Sequence, residues 1–136
     1  MMKILLTGSN GMVGKNILAH NSAINYNFLT PSSKDLNLLN YQDVKKYIAI
    51  HQPEFVIHAA GKVGGIQANI KEPVSFLIDN IDMGRNIIMA AKSNNIKNFL
   101  NLSSSCMYPR NAINPLSENL ILKGELEPTN EGYAIA

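Results

Sequence analysis

The stretch Lys3-Ile4-Leu5-Leu6-Thr7-Gly8-Ser9-Asn10-Gly11-Met12-Val13-Gly14 decides how the rest of the chain is read. A short apolar run meets glycines at positions 8, 11 and 14, and Lys15-Asn16-Ile17-Leu18-Ala19-His20 then reads as helix. A buried strand, a tight glycine turn and a helix N-terminus together make a phosphate cradle. Backbone N–H groups and the positive end of the helix converge on one spot, and only glycine lets a pyrophosphate approach that closely. Gly8, Ser9, Asn10, Gly11, Met12, Val13 and Gly14 are therefore expected to hold one. The spacing is GxxGxxG rather than the commoner GxGxxG. Glycine spacing alone also fits a plain β-turn-α corner with no ligand.

Working outward, Asn25 to Thr30 reads as a second strand running into the polar loop Pro31-Ser32-Ser33-Lys34. In dinucleotide-binding sheets the side chains at this strand end choose the cofactor. An acid binds the ribose 2′-hydroxyl of NAD, whereas a cation with hydroxyls accommodates the 2′-phosphate of NADP. Ser32, Ser33 and Lys34 fit the second case, with Asp35 one residue beyond the cation. Lys34 as a solvated loop charge is the alternative.

Asp35 to Leu39 leads to Asn40, a plausible N-cap for a helix over Tyr41 to His51, where Val44, Tyr47, Ile48 and His51 recur at helical spacing. Pro53 stops that helix, and Glu54-Phe55-Val56-Ile57-His58 follows as a third strand. Ala59-Ala60-Gly61 are small enough for a cofactor to lie against the backbone. His58 reads as a packed strand-end histidine before it reads as a proton-transfer group. Lys62-Val63-Gly64-Gly65-Ile66 is too glycine-rich for a stable helix and is expected to be a loop over the site. Glu72-Pro73 opens a long helix from about Val74 to Asn94, with Phe76, Leu77, Ile81, Ile87, Ile88 and Ala91 on its apolar stripe. Asn80 within it faces either the strand ends or solvent. Lys97 to Leu102 is the fourth strand.

The order βα, βα, βα, β implies a parallel sheet with right-handed crossovers and helices on both faces, the first half of a Rossmann-type α/β fold. With the glycine turn on the first strand, the expected spatial order is 3-2-1-4.

Ser103, Ser104, Ser105 and Cys106 follow the fourth strand, at the sheet end where ligands bind. A polar loop with an ordinary buried thiol is the alternative. Glu127 to Glu131 is a helix-start signal with Thr129 or Asn130 as N-cap, and Tyr133-Ala134-Ile135-Ala136 begins the helix. A tyrosine on that first turn is placed to act as general acid toward a carbonyl when a cation stands beside it. Leu102, Ser103, Ser104, Ser105 and Tyr133 are grouped with the cofactor-binding residues.

Composition bounds the rest. The 136 residues are 46% hydrophobic and 16% charged, with a formal charge of +2. That fits one domain able to bury roughly two thirds of its unfolded surface. No run of like charge suggests a nucleic-acid partner, and no apolar run is long enough for a signal-peptide core or a bilayer span. Cys106 is the single cysteine, so no internal disulfide forms, and a reducing, cytoplasmic setting is expected. No metal site is expected.

Longer blocks carry a specific resemblance. Ala60-Gly61-Lys62-Val63-Gly64-Gly65-Ile66 with Asn69 and Pro73 resembles the AAKVGGI…AN…P block of GDP-L-fucose synthases, of the extended short-chain dehydrogenase/reductase superfamily. Ser104-Ser105-Cys106-Met107-Tyr108-Pro109 is similar to their SSC-x-YP block, and Leu122 to Ala136, with Gly124, Leu126 to Glu131 and Tyr133 to Ala136, to their G-x-LEPTNE-x-YA-x-A block. Gly61 stands where the family usually has alanine. The resemblance covers the whole chain.

The resemblance implies conversion of GDP-4-keto-6-deoxy-D-mannose to GDP-L-fucose, by epimerisation at carbons 3 and 5 and NADPH reduction of the carbon-4 ketone. It implies that Ser104 hydrogen-bonds the ketone, Tyr133 donates the proton as hydride arrives, and Cys106 is the epimerisation base. The ketone acidifies both neighbouring carbons, so one base near the oxyanion donors can invert them successively. A thiol must ionise to do this, so Cys106 is expected to be more reactive than a structural cysteine. It also implies a homodimer.

The family pattern places a lysine four positions after the tyrosine, at position 137, past the last residue. The family's acid histidine and nucleotide-sugar domain lie further on. Residues 1–136 are thus expected to be an NADP-binding Rossmann fragment without turnover of its own, with a bare strand edge that favours self-association. The alternatives are a related epimerase/reductase for a further deoxygenated GDP-hexose, such as a colitose synthase, and a non-catalytic dinucleotide sensor.

Overall fold

The computed structural model describes residues 1–136, which divide into two compact units, Met1–Gly61 with Asp82–Leu102 and Lys62–Ile81 with Ser103–Ala136. The first unit is built on four parallel strands: β1 (Lys3–Thr7), β2 (Asn27–Leu29), β3 (Phe55–His58) and β4 (Asn98–Asn101). Helices α1 (Met12–Ala19) and α2 (Tyr41–His51) connect them, and α4 (Pro73–Ser93) contributes its second half.

The strand order is β2-β1-β3-β4. The parallel α/β sheet is as expected, but the order 3-2-1-4 is not: Phe55–His58 lies beside β1 rather than outside β2. The chain between β2 and α2 explains this. Asp35 and Leu36 donate backbone bonds to Ser32 O, and Asn40 does so to Asn37 O, so the segment is a chain of turns and adds no strand beyond β2. The crossover through α2 therefore returns past β1. The residues agree: Phe55-Val56-Ile57 is continuously apolar, which suits a strand with neighbours on both sides, while the three-residue β2 with Asn27 at its start suits an edge.

Successive residues of β1 face opposite ways. Leu5 and Val56 pack with Val44 and Ile48 of α2 and with Ile87, Ala90 and Ala91 of α4, all buried, and Leu36 from the turn segment joins them. Ile4, Phe55 and Ile57 face α1, where they line an open apolar groove of about 660 Å³ with Val13 and Ile17. Helices thus cover both faces. Asn40 caps α2, its Oδ1 accepting from Gln42 N at 2.9 Å and Asp43 N at 3.3 Å. Gln52, left-handed at φ 46°, ends α2 ahead of Pro53. Buried Asn86 of α4 donates to Leu38 O at 2.9 Å and ties down the turn segment. The strands stop at one level, Thr7 opposite His58 and His58 opposite Asn101.

The second unit contains α3 (Ile66–Lys71), the start of α4, a 3-10 turn at Ser105–Met107 and α5 (Glu131–Ile135). The glycine-rich loop before α3 is held by two asparagines. Asn69 Nδ2 donates to the carbonyls of Gly64 and Gly65 at 3.1 and 3.2 Å. Asn80 Oδ1 accepts from Lys62 N at 2.7 Å while its Nδ2 donates to Lys62 O at 3.0 Å, so Asn80 faces the loop rather than solvent. No helix is long and apolar enough to cross a membrane.

Candidate active site

The glycine turn has the construction that a phosphate cradle requires. Gly8 sits at φ +70°, and a Cβ there would lie 2.5 Å from Ala59 O and 2.7 Å from Ala60 N. The small residues after β3 therefore press against the turn itself. A Cβ on Gly14 would lie 2.4 Å from Gly8 O, and Gly14 is buried. Gly11 N donates to Gly8 O at 2.9 Å and closes the turn. Gly11 is the N-cap of α1 and has no side chain to cap it, and the first turn carries no acid. The first amides of α1 are thus left without side-chain partners at the positive end of the helix, ready for an anion. Ser9 is buried, whereas Asn10, Met12 and Val13 are exposed around the turn.

The loop after β2 is partly committed to itself. Ser32 donates both its hydroxyl, at 2.6 Å, and its backbone N–H, at 3.0 Å, to Asp35 Oδ2. These bonds hold the Asp35 carboxyl below its usual range. The expected trio for a 2′-phosphate thus reduces to Ser33 and Lys34, both exposed and neither engaged through its side chain.

His58 is a packed residue. It is 5% exposed, its Nδ1 lies 2.8 Å from Thr7 Oγ1, and burial pushes its pKa down to about 4. It is neutral at physiological pH and tied to the neighbouring strand, which suits structure and not proton transfer.

In the second unit, Ser104 N-caps the 3-10 turn that carries Cys106. Its Oγ accepts from Cys106 N at 3.2 Å, which leaves the hydroxyl proton free to be donated. Asn130 Nδ2 lies 3.3 Å from Cys106 Sγ and donates to it. Tyr133, half-buried, stands on α5, which packs against the same turn. Close packing fixes α5: a Cβ on Gly132 would lie 2.6 Å from Pro73 O. Ser104, Cys106 and the start of the tyrosine helix are therefore brought together. Leu102, Ser103 and Ser105 are exposed at and after the end of β4.

Two features were not legible in the sequence. Asn130 reads as a helix cap, yet its side chain makes no capping bond and goes to a sulfur. Lys62 joins Ser75 and Asp79 in one cluster, with Lys62 Nζ 3.0 Å from Asp79 Oδ2 and 5.3 Å from the centre of the Phe76 ring. Each carries the other's charge: Asp79 raises the Lys62 pKa, and Lys62 lowers that of Asp79. No local pattern announces either contact, because the partners are 24 and 17 residues apart.

The chain is 60% identical over 135 residues to a GDP-L-colitose synthase of Yersinia pseudotuberculosis, covering 99% of this chain and 44% of that protein. It is 47% identical over 134 residues to a GDP-L-fucose synthase of Azorhizobium caulinodans, covering 98% of this chain and 43% of that protein. It thus spans less than half the length of these relatives. Among solved structures, the GDP-mannoheptose C4 reductase MlghC of Campylobacter jejuni, with NADP bound, superposes with a TM-score of 0.90 at 29% identity, over 98% of this chain and 42% of that one. Residues 4–136 match the model of the NAD dependent epimerase/dehydratase family, and the chain belongs to that family.

Proposed function

We propose that this chain carries the cofactor-side residues of an NADPH-dependent epimerase/reductase acting on a GDP-4-keto-deoxyhexose, the reaction class that forms GDP-L-fucose from GDP-4-keto-6-deoxy-D-mannose. The observation that carries the reading is the joining of Ser104, Cys106 and the Tyr133 helix in one packed cluster, with a sulfur that accepts a hydrogen bond. A dinucleotide sensor needs none of these three.

The glycine turn and the free amides of α1 would hold the cofactor's pyrophosphate, and Ser33 and Lys34 its 2′-phosphate. NADPH, when bound, supplies the hydride for ketone reduction. Cys106, as thiolate, takes the proton from a carbon beside the ketone, and the charge moves onto the ketone oxygen. Ser104 keeps its hydroxyl proton for that oxygen and stabilises the charge there. A proton delivered from water to the opposite face inverts the carbon, and Cys106 releases the proton it took to solvent. Tyr133 then gives its proton to the same oxygen as the ketone is reduced.

Two substrates compete within this class. Identity of 60% to the colitose synthase against 47% to the fucose synthase supports a further deoxygenated GDP-hexose over GDP-4-keto-6-deoxy-D-mannose. The proposal includes a homodimer in a reducing, cytoplasmic setting, the setting being supported by the free thiol of Cys106. The test is to offer both GDP-4-keto sugars with NADPH to the intact protein and identify the products. Turnover of either at an enzymatic rate supports the class, and the faster one fixes the substrate. Turnover of neither, with the cofactor bound, favours the sensor.

A further inference from the structure

Asn130 breaks a local rule. It occupies the N-cap of α5, where an asparagine ordinarily accepts from an amide of the first turn, and it makes no such bond. Glu127 takes over the local capping, accepting from Thr129 N at 3.3 Å and Thr129 Oγ1 at 3.1 Å. The Asn130 amide is turned instead toward Cys106, with Nδ2 3.3 Å from Sγ. Its Oδ1 is buried and has no partner. A buried carbonyl oxygen without a donor is unfavourable, and the capping bond is forgone as well. Nothing in the stability of the helix start rewards this arrangement. Local rules broken without a structural gain concentrate at functional sites.

The sulfur contact explains the orientation. An amide N–H donated to sulfur favours the anionic form of that sulfur over the thiol, because a hydrogen bond to the charged form stabilises it. Cys106 is then fixed twice, its backbone by Ser104 Oγ and its sulfur by Asn130. Asn130 itself is held by packing, since Gly132, two residues on, lies against Pro73 O at a distance no Cβ would permit. We infer that Asn130 is a positioning residue for the epimerisation step, holding the Cys106 sulfur in orientation through Nδ2, with the N–H turned to the charge the sulfur carries when it acts as base. The inference rests on the reading of Cys106 as the base. In the step it serves, the thiolate gains a proton from carbon, the C–H electron pair passes to the ketone oxygen, and the amide N–H stays on Asn130 throughout.

The test uses the intact protein with Asn130→Asp, which keeps the shape and removes the N–H, and Asn130→Leu, which removes both polar atoms. Three rates are compared: solvent deuterium entry at the carbons beside the ketone, reduction of an already epimerised 4-keto sugar by NADPH, and alkylation of Cys106 by iodoacetamide at one fixed pH. Deuterium entry and alkylation are expected to fall about 10-fold to 100-fold in both variants, the range set by one hydrogen bond to a charged group, with reduction within about 2-fold of normal. Equal losses in deuterium entry and reduction would mean a merely structural role and overturn the inference. So would unchanged deuterium entry in a folded variant. Cys106→Ser separates the two readings: exchange that survives it refutes Cys106 as base, whereas exchange lost in Cys106→Ser but kept in both Asn130 variants refutes only the role of Asn130.

Discussion

Thr7 Oγ1 and His58 Nδ1 lie 2.8 Å apart between two buried side chains, directly across the β1–β3 pairing. The pair is the sheet's pH-sensitive joint. In the unfolded chain His58 takes a proton near 6.5, and in the folded protein only near 4. Between those values the unfolded state binds the extra proton. Stability is therefore complete above about pH 6.5 and is lost as pH falls toward 4, by up to about 3 kcal/mol from this residue. Denaturant titrations at pH 7 and pH 4.5 check this, with His58→Gln expected to flatten the difference. An unchanged slope in that variant would assign the acid sensitivity elsewhere.

The three glycines of the turn are not equivalent. Cβ atoms on Gly8 and Gly14 would lie 2.5 and 2.4 Å from backbone oxygens, and on Gly11 3.2 Å from one. Gly8→Ala and Gly14→Ala are expected to cost more than about 2 kcal/mol of stability and to abolish NADPH binding, and Gly11→Ala about 1 kcal/mol or less. Denaturant unfolding with cofactor titration measures both. Equal effects at all three positions would contradict the geometry.

On the proposed function, discrimination of NADPH from NADH would fall to Lys34 and Ser33, because Ser32 is spent on Asp35. Lys34→Glu is expected to weaken NADPH binding by about 10-fold or more while leaving NADH nearly unchanged, since one ion pair to a phosphate is lost. Ser32→Ala is expected to change the NADPH/NADH ratio little. Dissociation constants of both cofactors at equal salt decide it, and tighter NADH binding by the unsubstituted protein would refute the preference.

Most of the sheet was legible in the residues, and its wiring was not. Apolar runs bounded by glycine, proline and asparagine place the four strands within two or three residues. A run says that a strand is buried, not which strand lies beside it. The order turned on Asp35 to Leu39, which fold as turns and add no strand beyond β2, and on Leu36 dropping into the core. Ser32 shows the same limit at the site: its hydroxyl fits a 2′-phosphate by sequence, but Asp35 claims it in the fold, whereas Ser104 only accepts from Cys106 N and keeps its proton. Asn130 read as a cap because capping is a local rule, and the sulfur that outcompetes it comes from another part of the chain.

The most direct test of the proposed activity is the reaction of the intact protein, NADPH and a GDP-4-keto-deoxyhexose in deuterated water, read by mass and NMR of the product. The expected result is stoichiometric NADPH oxidation with deuterium at carbon flanking the reduced ketone, the deuterium lost in Cys106→Ser. Reduction with no deuterium at those carbons would make the protein a simple ketone reductase, and it would contradict the assignment of Cys106 as an epimerisation base.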